Sequence, residues 1–123
     1  MSRSPTDADW SGIARGRWGE DRAAARFRSL GFQVVDRNWR STDPEQRGEL
    51  DLVVRRGDLV VVCEVKARRY AGRAVFAVDE RKQGRLRSLA EAWLREHDAG
   101  DVDVRFDVIA IEGVRLVHYE SAF

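Results

Sequence analysis

Three ionisable side chains, Asp51, Glu64 and Lys66, stand within apolar stretches that have the composition of β-strands. Side chains alternate between the two faces of a strand, so Glu64 and Lys66 share one face. A turn signal at residues 55–58 predicts a hairpin that can bring Asp51 beside them. Two carboxylates and an ammonium are costly to bury without compensation. A divalent metal ion bound by the carboxylates would offset that cost.

The chemistry that this set favours is hydrolysis of a phosphodiester bond. Mg²⁺ and Mn²⁺ prefer oxygen ligands and usually keep several waters. Such an ion would polarise a phosphoryl oxygen and lower the pKa of a bound water. Lys66 could orient that water or stabilise the charge that develops on the phosphate. A zinc site is disfavoured, because the only histidines, His97 and His118, lie outside the motif and far apart.

Lysine is rare in this protein, since Lys66 and Lys82 are the only lysines among its 22 basic residues. Codon bias explains the general excess of arginine. A lysine kept within a strand nevertheless indicates a need for a compact charge whose pKa can shift on burial.

A first amphipathic helix is predicted over residues 16–30, where Gly16, Glu20, Ala23, Phe27 and Leu30 recur at spacings of three and four. Glu20 therefore lies on the inward face, where an apolar residue is expected. Two interpretations stay open: a carboxylate that serves a site, or one that reaches solvent at the edge of the stripe.

The remaining elements position the three strand residues. Strands are predicted over residues 32–37, 49–54, 59–66, 102–111 and 114–119. A second helix runs from an N-cap at Asp79 to about His97, and Gln83 lies on its apolar stripe, facing the sheet. Residues 38–46 and 67–78 are predicted loops, the latter basic and mobile. The order α-β-β-β-α-β-β predicts an α/β fold with a mixed central sheet and a helix on either face.

Length and composition indicate one domain over residues 13–123, preceded by a flexible tail over residues 1–12. The single cysteine, Cys63, excludes a disulfide framework and is predicted to be a core residue that faces away from Glu64. No segment approaches the roughly 20 apolar residues of a membrane span, and the first residues lack the apolar stretch of a secretory signal. We therefore expect a cytoplasmic protein with no membrane partner.

Charge placement matters more than the net charge of +1. Seven basic residues crowd the segment that follows the third strand: Arg68, Arg69, Arg73, Arg81, Lys82, Arg85 and Arg87. A basic surface beside the carboxylates would suit a polyanion. A solvated, arginine-rich surface without a partner explains the same residues equally well.

The ordered motifs resemble the PD-(D/E)xK nucleases and, more narrowly, the YraN family, which is similar to archaeal Holliday-junction resolvases. The resemblance covers nearly the whole chain, roughly residues 15–119. The motifs are Asn38-Trp39-Arg40, Gly48-Glu49-Leu50-Asp51-Leu52-Val53, Glu64-Val65-Lys66-Ala67-Arg68, Lys82-Gln83 and Arg105-Phe106-Asp107-Val108.

This resemblance implies a restriction-endonuclease-like fold and a set of roles. Asp51, Glu64 and Glu20 would be metal ligands for Mg²⁺ or Mn²⁺, and Lys66 the catalytic lysine. Gln83 would flank the site, and Glu49 would be a further carboxylate beside it, with a structural salt bridge equally open for Glu49. Candidate substrate-binding residues are Arg68, Arg69 and Lys82.

The leading hypothesis is a metal-dependent DNA endonuclease that acts on branched or repair intermediates. Paired cuts in a symmetric junction would require a homodimer, for which Trp10, Trp18 and Trp39 are candidate contacts. The alternatives are a non-catalytic module that binds nucleic acid or a protein partner, and an assembly protein that keeps the carboxylates as an ion-pair network. Metal binding separates a nuclease site from such a network.

Overall fold

The computed structural model describes the backbone of residues 5–68 and 78–123, and the side chains of residues 16–67 and 78–123. The elements follow the predicted order α-β-β-β-α-β-β, which is confirmed. They are α1 (Pro5–Ser29), β1 (Gln33–Trp39), β2 (Leu50–Arg56), β3 (Leu59–Arg68), α2 (Glu80–Glu96), β4 (Asp103–Glu112) and β5 (Arg115–Tyr119).

The five strands form one mixed sheet in the order β1-β2-β3-β4-β5. Strands β1, β2 and β3 pair antiparallel, β3 and β4 pair parallel, and β4 and β5 pair antiparallel. The parallel pair needs a crossover connection, which α2 supplies. Strand β3 lies at the centre of the sheet, so it is paired along both edges.

Each face of the sheet carries its own core cluster. Leu86, Leu89 and Trp93 of α2 pack on one face against side chains that include Val62 and Val108; we call this the α2-side core. Ala23 and Phe27 of α1 pack on the other face; we call this the α1-side core, which also includes Leu52, Cys63 and Ile109. The predicted placement of one helix on either face is confirmed, and Cys63 is a buried core residue as predicted.

Helix α1 begins earlier than predicted, at Pro5 rather than near Gly16. Proline suits the first turn of a helix, because its φ is already helical and its missing N–H is not needed there. Residues 5–12, expected to belong to a flexible tail, therefore have helical backbone. Residues 1–4 lie outside the described part of the chain, as do residues 69–77, which hold most of the predicted basic loop and Arg69.

Helix α2 matches its prediction closely. The Asp79 side chain accepts a hydrogen bond from the Lys82 backbone N–H at 2.8 Å, which makes Asp79 the N-cap. His97 is the C-cap residue. In the described ranges 5–68 and 78–123, neither helix is long and apolar enough to cross a membrane.

A buried carboxylate, Asp107 of β4, fastens the C-terminal end of the chain. Its side chain is 0% exposed and accepts two hydrogen bonds from Arg105, each at 2.8 Å. It also contacts His118 of β5 at 2.7 Å and accepts from the Ser121 N–H at 3.1 Å. These contacts saturate both oxygens, so Asp107 and His118 belong to the scaffold.

Candidate active site

Asp51 and Glu64 lie opposite each other on neighbouring strands. The register of β2 and β3 pairs Leu52 with Cys63, so the preceding and following residues, Asp51 and Glu64, are aligned. Their carboxyl groups are hydrogen bonded to each other. The Val65 N–H also donates to Asp51 Oδ2 at 2.9 Å, which holds the carboxyl group against β3. The predicted juxtaposition across the hairpin is therefore present.

Glu64 is the most buried member of the site, with only 5% of its side chain exposed. Lys66 Nζ lies 3.2 Å from Glu64 Oε2, on the strand face that the two residues share. Lys82 Nζ contacts the same oxygen from the first turn of α2. Both lysines of the protein thus converge on one carboxylate oxygen.

The two paired carboxyl groups have opposite pKa shifts. Burial, followed by the negative charge of Glu64, raises the pKa of Asp51 to about 8. Burial alone would also raise the pKa of Glu64, but hydrogen bonds from Lys82 and Asp51 outweigh it and hold that pKa below its ordinary value. The pair therefore holds one proton near neutral pH, on Asp51.

The Lys82 ammonium is stabilised in its charged form by the same contact. Burial alone would lower the pKa of Lys82, yet the hydrogen bond to Glu64 and the charge of that carboxylate raise it above the ordinary value. Lys82 was predicted only as a candidate substrate-binding residue. Its position against Glu64 depends on how the first turn of α2 packs on β3, which no local sequence pattern reveals.

Glu20 and Glu49 form a second acidic pair, joined by one amide. Asn38 Nδ2 donates to Glu20 Oε2 at 2.8 Å and to Glu49 Oε1 at 3.1 Å. Asn38 has a φ of +51°, a left-handed conformation that asparagine tolerates better than most residues. Its role was missed in the sequence, where it stood out only as part of a family motif. The signal that could have found it is an asparagine at the end of a strand, before a polar loop.

Arginines of β1 and of the loop that follows it complete this second pair. Arg37 Nη2 lies 3.7 Å from Glu20, and Arg40 Nη2 lies 3.0 Å from Glu49. Strict alternation along β2 would place Glu49 on the face of Asp51. However, Leu50 packs in the α2-side core and Leu52 in the α1-side core, so the alternation is broken at the start of β2. Of the two roles predicted for Glu49, its observed contacts with Arg40 and Asn38 fit the structural salt bridge.

A close approach of α1 to β3 brings Glu20 towards the site. A Cβ atom built on Gly19 would lie only 3.0 Å from the Ala67 Cβ, which is tighter than most Cβ contacts, so α1 packs closely on β3 here. Glu20, the next residue, is near enough that its charge contributes to the raised pKa of Asp51. Its own hydrogen bond goes to Asn38.

The donor set suits a divalent ion held by two carboxylates. Asp51 and Glu64 are adjacent, partly or fully removed from solvent, and share a proton that a cation would replace. Within residues 16–67 and 78–123, no three His, Cys, Asp or Glu side chains converge to hold a metal ion. Glu20 is therefore not assembled with Asp51 and Glu64 as a third ligand in this conformation. Waters and a phosphate oxygen would have to complete the coordination of Mg²⁺ or Mn²⁺.

Several other predicted residues make contacts that do not involve the paired carboxyl groups. Gln83 Nε2 donates to the Val78 carbonyl at 2.8 Å, so its amide supports the entry of α2. Trp39 packs on the α2-side core, and Trp18 is 42% exposed beneath the Arg22 guanidinium. The structure does not describe the side chains of Arg68 and Trp10, so the roles predicted for these two residues stay predictions.

Comparison with known proteins places the chain in a family. The model of the uncharacterised protein family UPF0102 matches residues 19–111, a range that contains Glu20, Asp51, Glu64, Lys66 and Lys82. A UPF0102 protein of Frankia casuarinae is 46% identical over 118 residues, covering 89% of this chain and 96% of that protein. A second, from Acidothermus cellulolyticus, is 47% identical over 127 residues, covering 89% and 93% respectively.

A more distant relative extends over the entire chain. The UPF0102 protein of Mesorhizobium japonicum is 38% identical over 125 residues, covering 100% of this chain and 97% of its own. These matches confirm the YraN-like resemblance seen in the sequence motifs. The chain therefore belongs to the uncharacterised protein family UPF0102.

Proposed function

We propose that the protein is a metal-dependent endonuclease that hydrolyses phosphodiester bonds in DNA, with branched or repair intermediates as its substrates. The observation that carries this proposal is the alignment of Asp51 and Glu64 on neighbouring strands, with Lys66 against Glu64. Two carboxylates in this arrangement can hold a metal ion that activates a phosphate and a water, and a lysine beside them can stabilise the charge that develops.

Each residue of the set has a distinct task in this proposal. Asp51 and Glu64 would hold Mg²⁺ or Mn²⁺, which supplies Lewis-acid activation of the phosphate and of water. Lys66 would orient the attacking water or stabilise negative charge on the phosphate, since its ammonium is only partly buried and sits at the edge of the pair. Glu20 and Glu49, fixed by Asn38, would keep the surroundings negative and favour cation binding.

A second candidate function is a non-catalytic module that binds nucleic acid or a protein partner. The observation that favours it is the saturation of Glu64 by both lysines, which balances the buried carboxylate without a metal. An ion-pair network of this kind can persist for structural reasons. The two functions differ in whether a divalent cation displaces Lys82 from Glu64.

The decisive experiment is a cleavage assay with Mg²⁺ or Mn²⁺ on a four-way junction, a flap, a linear duplex and single strands. Asp51→Asn serves as the control for contaminating nucleases, because it keeps the shape of the side chain and removes its charge. Cutting by the wild type that this variant loses would establish a nuclease, and the preferred substrate would define its class. A folded wild type that binds Mn²⁺ but cuts no substrate would refute the enzymatic proposal.

Paired cuts in a four-way junction would also require two copies of the site. We propose a homodimer for the active form. Light scattering with and without junction DNA tests this, and a strictly monomeric protein that still cuts both strands would contradict it.

A further inference from the structure

An open groove lies between α2 and the loop that precedes β2. Its volume is about 490 Å³, and its lining residues are Glu45, Gln46, Arg47, Arg85 and Ser88. We call it the arginine groove. This volume is within the range of pockets that bind small ligands or single chemical groups of larger ones.

The loop wall of the groove is fixed at both ends to α2. At one end, Ser41 Oγ donates to Glu96 Oε2 at 2.6 Å, and Thr42 Oγ1 donates to Glu96 Oε1 at 3.1 Å. At the other end, Gly48 approaches α2 so closely that a Cβ atom there would lie 3.3 Å from Arg85 Cδ and 3.5 Å from Leu89 Cδ1. The loop that forms this wall is therefore anchored to α2 at both ends.

Between these anchors the loop also has internal order. Asp43 N–H donates to Ser41 Oγ at 3.0 Å, Glu45 N–H donates to Asp43 Oδ1 at 2.9 Å, and Gln46 N–H donates to the Asp43 carbonyl at 3.0 Å. This turn presents Gln46 and Arg47 to the groove. A wall ordered in advance lowers the entropy cost of binding a ligand there.

Two arginines line this space. Arg47 and Arg85 are exposed, and neither makes a salt bridge or hydrogen bond to another residue in the described part of the chain. The Gln46 amide and the Ser88 hydroxyl add neutral donors. Donors of this kind, with no aromatic side chain among the lining residues, suit phosphate groups better than bases.

Both walls of the groove are close in sequence to residues at the paired carboxyl groups. Arg85 is three residues after Lys82 on α2, which corresponds to about 4.5 Å along the helix axis. Arg47 is four residues before Asp51, a chain length that spans at most about 14 Å. Successive phosphates of one DNA strand are about 3.4 Å apart along the duplex axis. The groove therefore lies within a few nucleotides of a phosphate bound at Asp51 and Glu64.

We infer that the arginine groove binds the phosphate backbone of the nucleic-acid strand that leads to the Asp51–Glu64 pair, through Arg47 and Arg85. This inference rests on the proposed function and assigns it a substrate-positioning surface. Contacts to phosphate fix the register of a strand without reading its sequence. The one lining carboxylate, Glu45, opposes the bound backbone and limits its affinity.

The test measures DNA affinity by fluorescence anisotropy, with a labelled four-way junction and a labelled linear duplex. Arg47→Gln and Arg85→Gln should each weaken binding about tenfold, since each removes a charge-assisted hydrogen bond. Each should also reduce the slope of log affinity against log salt by about 0.9. Glu45→Gln should strengthen binding, because it removes the opposing charge and leaves the backbone turn unchanged.

Arg95→Gln is the matched control. Arg95 is exposed on the same helix, ten residues after Arg85, and about 15 Å farther along the axis. It carries the same charge change away from the groove, so its effect should be small. If Arg47→Gln and Arg85→Gln bind both DNAs as Arg95→Gln does, the inference is overturned and the proposed nuclease is not.

Replacing single phosphates of the DNA with an uncharged analogue identifies which phosphates the groove contacts. In a series of duplexes with one methylphosphonate each, the wild type should lose affinity at one or two positions. The Arg47→Gln/Arg85→Gln double variant should show no loss at those positions, because the partners are already absent. Equal losses in both proteins would overturn the inference. A wild type without salt-dependent DNA binding would overturn both this inference and the proposed function, whereas binding without cutting would overturn the nuclease alone.

Discussion

Lys82 of α2 contacts Glu64 of β3, on the carboxylate oxygen that Lys66 also approaches. A cation in the first turn of a helix is unfavourable, because the exposed N–H groups there carry partial positive charge. The Asp79 cap and the buried Glu64 carboxylate offset this cost. Lys82 is thus held at an unfavourable helix position by neighbouring carboxylates, and it contacts a Glu64 oxygen that could otherwise bind a metal ion.

Removing this lysine should open Glu64 to a cation. Lys82→Met should strengthen Mn²⁺ binding about tenfold, since one charge-assisted hydrogen bond no longer competes for the carboxylate. The metal-free protein should lose about 1–2 kcal/mol of unfolding free energy, because Glu64 keeps only Lys66. Titration calorimetry measures the first effect and chemical denaturation the second. Lys82→Arg, which keeps the charge, is the control; Mn²⁺ affinity that is unchanged or weaker in Lys82→Met would show that Lys82 does not compete.

The raised pKa of Asp51 makes the stability of the metal-free protein depend on pH. The side chain titrates near 3.8 when unfolded and near 8 when folded. Its contribution is fully present below about pH 4 and is lost as pH rises towards about 8. Asparagine cannot ionise and preserves the shape.

Asp51→Asn should therefore match the wild type near pH 4 and exceed it near pH 8. We expect a gain on the order of 1–3 kcal/mol at the higher pH, less than the full pKa shift implies, because relaxation and water entry screen the charge. Chemical denaturation with a chelator present measures the difference at each pH. A constant difference between the two proteins across this range would contradict the assignment of the shared proton to Asp51.

The sequence predicted the part of the site that strand geometry determines. Alternation placed Glu64 and Lys66 on one face, and the hairpin aligned Asp51 with Glu64, because both relationships are local or follow from a short turn. The stripe of α1 likewise predicted that Glu20 faces inward. The positions of these residues follow from periodicity and from a short turn, both of which can be seen directly in the sequence.

The parts that depend on tertiary approach were not predictable in this way. Lys82 reaches Glu64 because the first turn of α2 packs beside β3. Asn38, which has a left-handed backbone near the end of β1, joins Glu20 to Glu49. Alternation also failed at Leu50, which turns to the α2-side core at the start of β2. None of these contacts has a fixed sequence spacing, so periodicity alone could not indicate them.

Asn38 should be sensitive to loss of its donor group. Asn38→Asp tolerates the left-handed conformation but replaces the amide donor with a third carboxylate between Glu20 and Glu49. We expect a loss of about 1–3 kcal/mol of unfolding free energy near neutral pH. Asn38→Gly, which removes the donor without adding charge, should lose less. If both variants unfold at the same denaturant concentration, repulsion between carboxylates is not the cause.

Lys66 should separate catalysis from metal binding. Lys66→Ala should reduce the single-turnover cleavage rate about a hundredfold or more, because a group that stabilises developing charge is removed. Mn²⁺ binding should be largely retained, since Asp51 and Glu64 remain, whereas Asp51→Asn should impair both. Cleavage by Lys66→Ala at the wild-type rate would refute the role assigned to the lysine.

Two glycines of α1 offer a matched test of how closely this helix must approach β3. A Cβ on Gly19 would meet the Ala67 Cβ at 3.0 Å, whereas a Cβ on Gly16 would have nothing within 4 Å. Gly19→Ala should therefore destabilise the protein by about 1–3 kcal/mol, because α1 or Ala67 has to move slightly to relieve the tight contact. Gly16→Ala should be neutral or stabilise by up to about 1 kcal/mol, because alanine favours the helix. Thermal denaturation compares the two variants.

The same substitution should also affect the site, because Glu20 follows Gly19 directly. A shift of α1 away from β3 would draw Glu20 from Asn38, to which it is bound at 2.8 Å. In Gly19→Ala, Mn²⁺ affinity and cleavage should therefore fall under conditions where the protein is fully folded, and in Gly16→Ala they should not. Should both variants retain wild-type affinity while Gly19→Ala is destabilised, the close packing of α1 would serve the fold alone, and Glu20 would have no part in binding the metal.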